Sequence, residues 1–345
     1  MSTVFHNKDP VSESLKLFKW LIAPLSPTSF FKQYWEVKAL HIQHNSAYYF
    51  SDILTTAKLD SIFRDSDVLA RESSPNLRHD DIGKPFMEVT LNAGDMLYFP
   101  RGTIHEGRTD PECHSFHITV SVYQHNSFAD LLEYALPEAL KKASFDNVHF
   151  RKGLPLNYLK HTGYVNKNIL SEERLNIMAE IQKLFDSLRD YIDIDKAADQ
   201  LGRRFMYDSM PPVLSKQEIF HTSKYDGDIM KEGKIFNRAE FDMDTEVRLL
   251  RYFCVRLVID EECSKLYYNT ENAKMYHGEE EQVLVIEFNL IPTIEMLQST
   301  YPKFTNIKSL VVNNNSNIET IQLVSDLWER GLLITNNSVT TVIGD

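Results

Sequence analysis

The feature that most constrains this chain is the stretch Gly94-Asp95-Met96-Leu97-Tyr98-Phe99-Pro100-Arg101-Gly102-Thr103-Ile104-His105. It reads G-x5-P-x-G-x2-H, and each fixed residue has a physical task. Gly94 permits a turn into a strand, because a residue without Cβ enters backbone conformations closed to the others. Pro100 and Gly102 make a tight corner, one locking a dihedral and the other freeing one. His105 is then expected to enter the next strand aimed inward, where an imidazole nitrogen can bind a metal ion. A lone histidine in a strand is more often an ordinary core residue. The placement behind a proline–glycine corner is what favours ligation here.

The spacing is that of the second cupin signature of double-stranded β-helix barrels. The neighbouring segments read accordingly: Phe86–Leu91 as a strand, Asn92–Asp95 as a turn and Met96–Phe99 as a strand. Ser115–Tyr123 alternates, with Phe116, Ile118, Val120 and Val122 on one face and His117, Thr119, Ser121 and Tyr123 on the other. His117, Thr119 and Ser121 are expected to line a polar pocket for an acidic co-substrate, since small barrels often hold a ligand and buried polar groups need partners. The alternative is that this polar side faces solvent and the apolar side is core. Non-haem iron sites of the two-histidine, one-carboxylate kind leave positions open for co-substrate and oxygen. Such a site needs a His-x-Asp or His-x-Glu pair on an earlier strand, and only His79-Asp80-Asp81 offers that spacing. That tripeptide follows Ser73-Ser74-Pro75-Asn76 and lacks apolar alternation, so it reads as surface loop charge.

The chain has 345 residues, enough for two or three domains, and a formal net charge of −12. Such an acidic balance argues against direct nucleic-acid binding, which needs a basic face. It suits attraction of basic protein substrates. Cys113, Cys254 and Cys263 form no CxxC pair and are expected to be reduced thiols. No signal peptide is expected before the first helix, and no apolar run is long enough to span a bilayer. Leu15–Leu25, broken by Lys16, Lys19 and Pro24, reads as an amphipathic surface helix.

Punctuation along the chain marks the other elements. Ser26-Pro27-Thr28 starts a helix, Leu40-His41-Ile42 is a short strand, and Thr55 or Thr56 caps a helix through Leu59 and Phe63. From Phe128 to Met210 the pattern is helical, with Ile177, Ile181, Leu184, Leu188 and Ile192 in one stripe. This region carries more apolar surface than one short helical layer needs, so either a partner or the β block is expected to cover it. Pro211-Pro212 marks a boundary. Strands are expected at Arg248–Ile259, Lys265–Tyr268, Val283–Phe288 and Leu333–Thr335, helices at Ile291–Tyr301 and Ile318–Arg330, and a surface loop at Asn313–Asn317.

At this point a family resemblance can be stated. The chain resembles the nucleolar JmjC-domain ribosomal oxygenases, described as bifunctional lysine-specific demethylases and histidyl-hydroxylases. The matching stretches are Leu17–Pro24, Phe30–Glu36, Ser73–Asn76, Gly94–His105, Ser121–Gln124, Phe150–Pro155 and Ser209–Leu214. The resemblance implies an Fe(2+) and 2-oxoglutarate-dependent oxygenase, with His105 as the distal iron ligand and Ser121 as a hydroxyl contact to 2-oxoglutarate. It also implies a departure. The family's block of central barrel strands, holding the His-x-Asp pair and a lysine that pairs with 2-oxoglutarate, has no counterpart here. Asp65-Ser66-Asp67-Val68-Leu69 joins its two flanks directly. A single imidazole does not make a facial triad, and a barrel without its central strands exposes unpaired edges.

The expected fold class is therefore α+β. A truncated double-stranded β-helix spans residues 1–127, a helical dimerisation domain 128–210, and a winged-helix-like domain 211–345. The expected function is that of an oxygenase-family member acting on a histidine of a large-subunit ribosomal protein or on a histone tail. It is expected to be a homodimer of the nucleus and nucleolus, away from membranes, with its own turnover impaired by the missing ligand pair. The alternatives are a catalytically inactive isoform or incomplete gene model acting through dimerisation, and a chromatin adaptor using the winged helix. Against the adaptor, Ile318–Arg330 carries Arg330 alone among lysines and arginines, beside Glu319, Asp326 and Glu329.

Overall fold

The computed structural model describes residues 10–55, 57–58, 82–122, 125–223, 229–231, 234–236, 238–260, 263–273, 278, 280–312, 315–337 and 341–342. The chain divides into two compact units, one reaching to Ser121 and the other starting at Val122.

The first unit is built on aromatic packing. Helix α1 (Pro10–Leu21) is followed by α2 (Pro27–Gln33), whose N-cap Ser26 accepts the Ser29 N–H at 3.1 Å. That side chain satisfies a backbone donor the helix itself leaves open, and Pro27 sits where no N–H is needed. Strand β1 (Leu40–Ile42) pairs antiparallel with β2 (Met96–Tyr98), placing Leu40 opposite Tyr98 and Ile42 opposite Met96. Ile22, Phe30 and Ile42 are buried together, with Phe18, Trp35 and Tyr98 packed around them. Phe30 meets Tyr98 edge-on with ring centroids 4.8 Å apart, the geometry that aromatic quadrupoles favour.

Two strand expectations are corrected in this unit. Phe86–Leu91 and residues 115–122 form no strands, and both segments are exposed, Val120 being 82% accessible. Among the described residues nothing covers either face of 115–122. Alternation sets which side chains share a face, but a strand also needs a neighbour to exchange backbone hydrogen bonds with. The two-stranded β1–β2 ladder is the sheet of this unit among the described residues, and they form no closed barrel. The helix through Leu59 and Phe63 lies outside the described residues. Ahead of it, Thr55 Oγ1 accepts the Lys58 N–H at 3.1 Å.

The second unit opens with helices. α3 (Phe128–Asp146) begins in a reciprocal cap, Ser127 and Asp130 each accepting the other's backbone N–H. α4 (Val148–Arg151), α5 (Glu172–Leu188) and α6 (Ile194–Asp208) follow. Buried Ala135, Ala139 and Ala143 give α3 a small-residue stripe that lets neighbours approach closely. Of the sequence-predicted stripe on α5, Ile177 and Leu188 are buried, while Ile181 remains exposed.

Beyond α7 (Lys216–Ile219), β3 (Ile229–Lys231) pairs β4 (Lys234–Phe236), and β5 (Arg238–Ala239) pairs β12 (Thr341–Val342). β6 (Glu246–Leu249) is central between β10 (Thr305–Asn306) and β11 (Leu333–Thr335). β7 (Val255–Ile259), β8 (Ser264–Tyr268) and β9 (Val283–Ile286) form a second three-stranded sheet. α8 (Ile291–Thr300) and α9 (Asn317–Glu329) close over the core, which is centred on Leu297, Val324, Leu327 and Trp328. Gly331, at φ +69°, ends α9 and returns its N–H to the Trp328 carbonyl at 2.8 Å.

The expected single strand Arg248–Ile259 is two strands of different sheets, separated by a 3-10 turn at Tyr252–Cys254. Leu249 and Leu250 are both buried, and the Leu250 N–H donates to the Leu332 carbonyl at 2.8 Å just before the turn. Val283–Phe288 shortens likewise, since Phe288 begins a 3-10 turn. Within the expected Asn313–Asn317 surface loop, Asn315 is buried and Asn317 opens α9.

Several ion pairs join elements of this unit. Arg203 Nε and Nη2 each lie 2.7 Å from Glu281, and Arg256 holds Asp199 at 3.0 and 2.5 Å, tying α6 to the β7–β8–β9 sheet. Arg251 grips Glu218 at the start of the domain, and Lys308 meets Asp244 on the surface at 2.6 Å.

Candidate functional site

The corner that presents His105 is built from the β1–β2 ladder upward. Gly94 stands at φ +89°, and a Cβ placed on it would fall 2.0 Å from the Ser46 carbonyl oxygen. Only glycine fits there. Asp95 follows, its carboxylate accepting the Asn92 N–H at 3.0 Å and lying 3.0 Å from His41 Nε2 across the ladder. Burial pushes the Asp95 carboxyl up, but the Asn92 N–H, the His41 hydrogen bond and the charges of His41 and His44 outweigh it and hold the group below its ordinary value. His44 Nδ1 lies 2.7 Å from the Gly94 carbonyl, and its ring stacks on Tyr49 at 3.7 Å. Tyr98 accepts the Glu36 N–H at 2.9 Å, and Glu36 holds Arg101 Nε at 3.0 Å. Pro100 closes the turn by accepting the Thr103 N–H at 3.3 Å, with Gly102 at φ +72°.

His105 itself is exposed. It lies in irregular backbone, not in a strand facing a barrel interior, with Nδ1 3.0 Å from the Thr103 carbonyl and its ring 4.3 Å from Phe99. With Nδ1 turned to a carbonyl, Nε2 is the nitrogen left for a metal. His117, Thr119 and Ser121 are exposed, on a segment that forms no strand. Among the described residues no group of three or more His, Cys, Asp or Glu side chains is placed to hold a metal ion. His79 and Asp81 lie outside the described residues. The described donors thus do not fit a facial iron triad: one exposed imidazole is supplied where two histidines and a carboxylate are needed.

The sequence reading missed His41, His44 and Asp95 as the fastening of this corner. A signal was present. Pairing Leu40–Ile42 antiparallel with Met96–Tyr98 sets His41 opposite Leu97, on the same face as Asp95 and diagonal to it.

A second feature lies in the other unit. Leu132, Leu136 and Leu140 form an exposed i, i+4, i+8 stripe on α3, and Met178, Ile181 and Phe185 form one on α5. Leu136 and Phe185 line one cleft, together with Leu188 and Ile192. The apolar excess noted in the sequence is therefore only partly covered within this unit. No helix among the described residues is long and apolar enough to cross a membrane.

Comparison with known proteins adds ancestry to this geometry. The JmjC domain family model matches residues 59–131, and the ribosomal oxygenase 1 C-terminal winged helix domain model matches residues 210–339. The chain is 40% identical over 271 residues to the bifunctional lysine-specific demethylase and histidyl-hydroxylase NO66 of Culex quinquefasciatus, covering 78% of this chain and 41% of that protein. It is 38% identical over 283 residues to ribosomal oxygenase 1 of Gallus gallus, covering 80% and 46%. To ribosomal oxygenase 1 of Danio rerio it is 37% identical over 280 residues, covering 80% and 51%. The chain thus spans about half the length of these relatives, or less.

Proposed function

From a chain that joins a JmjC-domain segment to a winged-helix domain of the ribosomal oxygenase 1 kind, and is therefore a relative of the JmjC ribosomal oxygenases, we propose an oxygenase-family protein impaired in its own turnover. It acts through its helical and winged-helix unit. One observation carries this reading: His105 is a single exposed imidazole with no second and third ligand grouped beside it among the described residues.

The relatives' names give the chemistry of the ancestral site, histidyl hydroxylation and lysine demethylation. Fe(2+) and 2-oxoglutarate are the groups such chemistry uses. In this chain His105 is the remaining metal position, and Ser121, with Thr119 and His117 beside it in sequence, is the remaining co-substrate position. A basic substrate segment, of a large-subunit ribosomal protein or a histone tail, suits the acidic chain. The exposed stripes on α3 and α5 support self-association, either as a homodimer or with a longer relative. Residence in the nucleus and nucleolus is part of this proposal, and the resemblance to nucleolar oxygenases is what supports it. A nucleic-acid adaptor is disfavoured, because α9 carries Glu319, Asp326 and Glu329 and no lysine or arginine.

The deciding experiment loads purified protein with iron(II) and measures bound metal and 2-oxoglutarate consumption beside a His105→Ala control. Metal content and turnover at the level of the control are expected. Robust turnover that disappears in His105→Ala overturns the reading.

A further inference from the structure

Strand β9 lies at one edge of the β7–β8–β9 sheet. It pairs antiparallel with β8, Leu284 opposite Leu266 and Ile286 opposite Ser264. Just before it, Tyr268 donates its N–H to the Gln282 carbonyl at 3.2 Å. In an antiparallel ladder every second residue exchanges hydrogen bonds with the neighbouring strand, and the residues between turn their backbone groups the other way. The Tyr268–Gln282 pair sets that phase. Gln282, Leu284 and Ile286 face β8 with their N–H and C=O groups, and Val283 and Val285 present theirs to the outer edge. Among the described residues no strand pairs with that edge.

The side chains follow the same alternation. Ile286 is buried in the core, whereas Val283 and Val285 are 42% and 65% exposed on the opposite face. Over β7 and β8 that opposite face is covered by α6, where Met206 packs with Val258 and Tyr267. The cover does not reach Val283 and Val285. An open backbone edge and an exposed apolar pair therefore coincide.

Charge says what fits. Glutamates occupy positions 279–281 before the strand, and Glu287 follows it directly. Glu281 is held by Arg203, but Glu280 and Glu287 are exposed. Lys265, across from Val285 on β8, sets one positive charge against them. Charged flanks are a common way of stopping an edge strand from pairing with its own copy. A second copy of this chain would bring acidic flank against acidic flank, whereas a basic strand meets no such penalty.

We propose that the outer edge of β9 accepts an extended basic segment of a partner protein as a fourth strand. Its alternate apolar residues would pack on Val283 and Val285, and its lysines or arginines would face Glu280 and Glu287. The proposal uses no residue of the His105 corner and stands whether or not the chain binds iron.

Fluorescence polarisation with labelled short peptides tests it on the full chain. The probes are a peptide alternating lysine and valine, its glutamate–valine counterpart, and the lysine peptide N-methylated at every second residue in each of the two phases. The lysine peptide is expected to bind saturably. The glutamate peptide and one N-methylated phase should lose binding at least about tenfold, a change of about 1.4 kcal/mol. The other phase, whose methyl groups point away from β9, should retain it. The variant Glu280→Lys with Glu287→Lys leaves the ladder intact and should weaken the lysine peptide to a similar degree. The proposal is overturned by absent saturable binding, by equal binding of the glutamate peptide, by equal behaviour of the two methylated phases, or by indifference to the double charge reversal.

Discussion

Asp95 and His41 face each other across the β1–β2 ladder, carboxylate oxygen to Nε2 at 3.0 Å, and the Asp95 side chain is only 6% exposed. The same carboxylate accepts the Asn92 N–H at 3.0 Å, so one buried group fastens both the turn and the strand pair that lead to the His105 corner. Hydrogen bonds to a charged group typically contribute about 1.5–3 kcal/mol. Asp95→Ala is therefore expected to lower stability by roughly that amount, and Asp95→Asn by less. The carboxyl is held below its ordinary value in the folded state. Its contribution is thus present above the unfolded-state value and is lost as pH falls through the folded-state value. Denaturant melts from pH 6 to pH 3 should show wild type losing stability that Asp95→Asn never had. Parallel pH dependence of the two would refute the fastening role.

The two glycines of the corner should respond differently to alanine. At Gly102 (φ +72°) no atom stands within 4 Å of an added Cβ, so the cost is the left-handed backbone alone, about 1–2 kcal/mol. At Gly94 the Cβ meets the Ser46 carbonyl oxygen as well, and the ladder has to move. Thermal melts should rank Gly94→Ala well below Gly102→Ala. Equal melting temperatures would show that the Ser46 contact yields freely.

A steric coupling links α6 to the sheet. A Cβ on Gly202 would lie 3.1 Å from Arg256 Cδ and Nε, and that guanidinium holds Asp199 at 2.5 Å. Gly202→Ala should therefore destabilise wild type by displacing Arg256 from its carboxylate. In an Arg256→Ala background the same change should be neutral or favourable, because alanine suits a helix interior better than glycine by about 1 kcal/mol. A double-mutant cycle with no interaction term would remove this coupling.

Thiol labelling should follow burial. Cys254 is fully enclosed, and burial pushes its thiol up to about 11, while Cys113 is exposed. Native protein treated with a thiol reagent should react at Cys113 first, at half-buried Cys263 more slowly, and at Cys254 only on unfolding. Peptide mass mapping reads the order, and early labelling of Cys254 would contradict its enclosure.

The exposed stripes on α3 and α5 should govern the assembly state. Placing charge there, as Leu140→Glu with Phe185→Glu, is expected to shift the mass in solution from a multiple of the 40.1 kDa chain to the single chain. Light scattering after size exclusion measures this. Wild type at single-chain mass across the concentration range would leave those stripes without their proposed partner.

Much of the local structure was legible because it rests on local chemistry. Ser26-Pro27 announces α2, because capping depends on a few adjacent residues. The Pro100–Gly102 corner was legible for the same reason. The turn inside Arg248–Ile259 was not, because each half is claimed by a different neighbour, β6 by β11 and β7 by β8, and the local pattern does not name those partners. The site was the least legible part. Residues 115–122 have the alternation of a pocket wall and no strand, since alternation carries no information about a neighbour's presence.

By itself, then, the amino-acid sequence determined the α+β class, the kinship with JmjC ribosomal oxygenases and the corner that carries His105. Each of these is written in short spacings of special residues. Only the tertiary structure decided which way His105 and Ser121 face, that His41 and Asp95 fasten the corner, and that no strand among the described residues pairs with the outer edge of β9. Those outcomes depend on segments far apart in the chain meeting or failing to meet, and hydrogen bonds and burial come into being only where they meet.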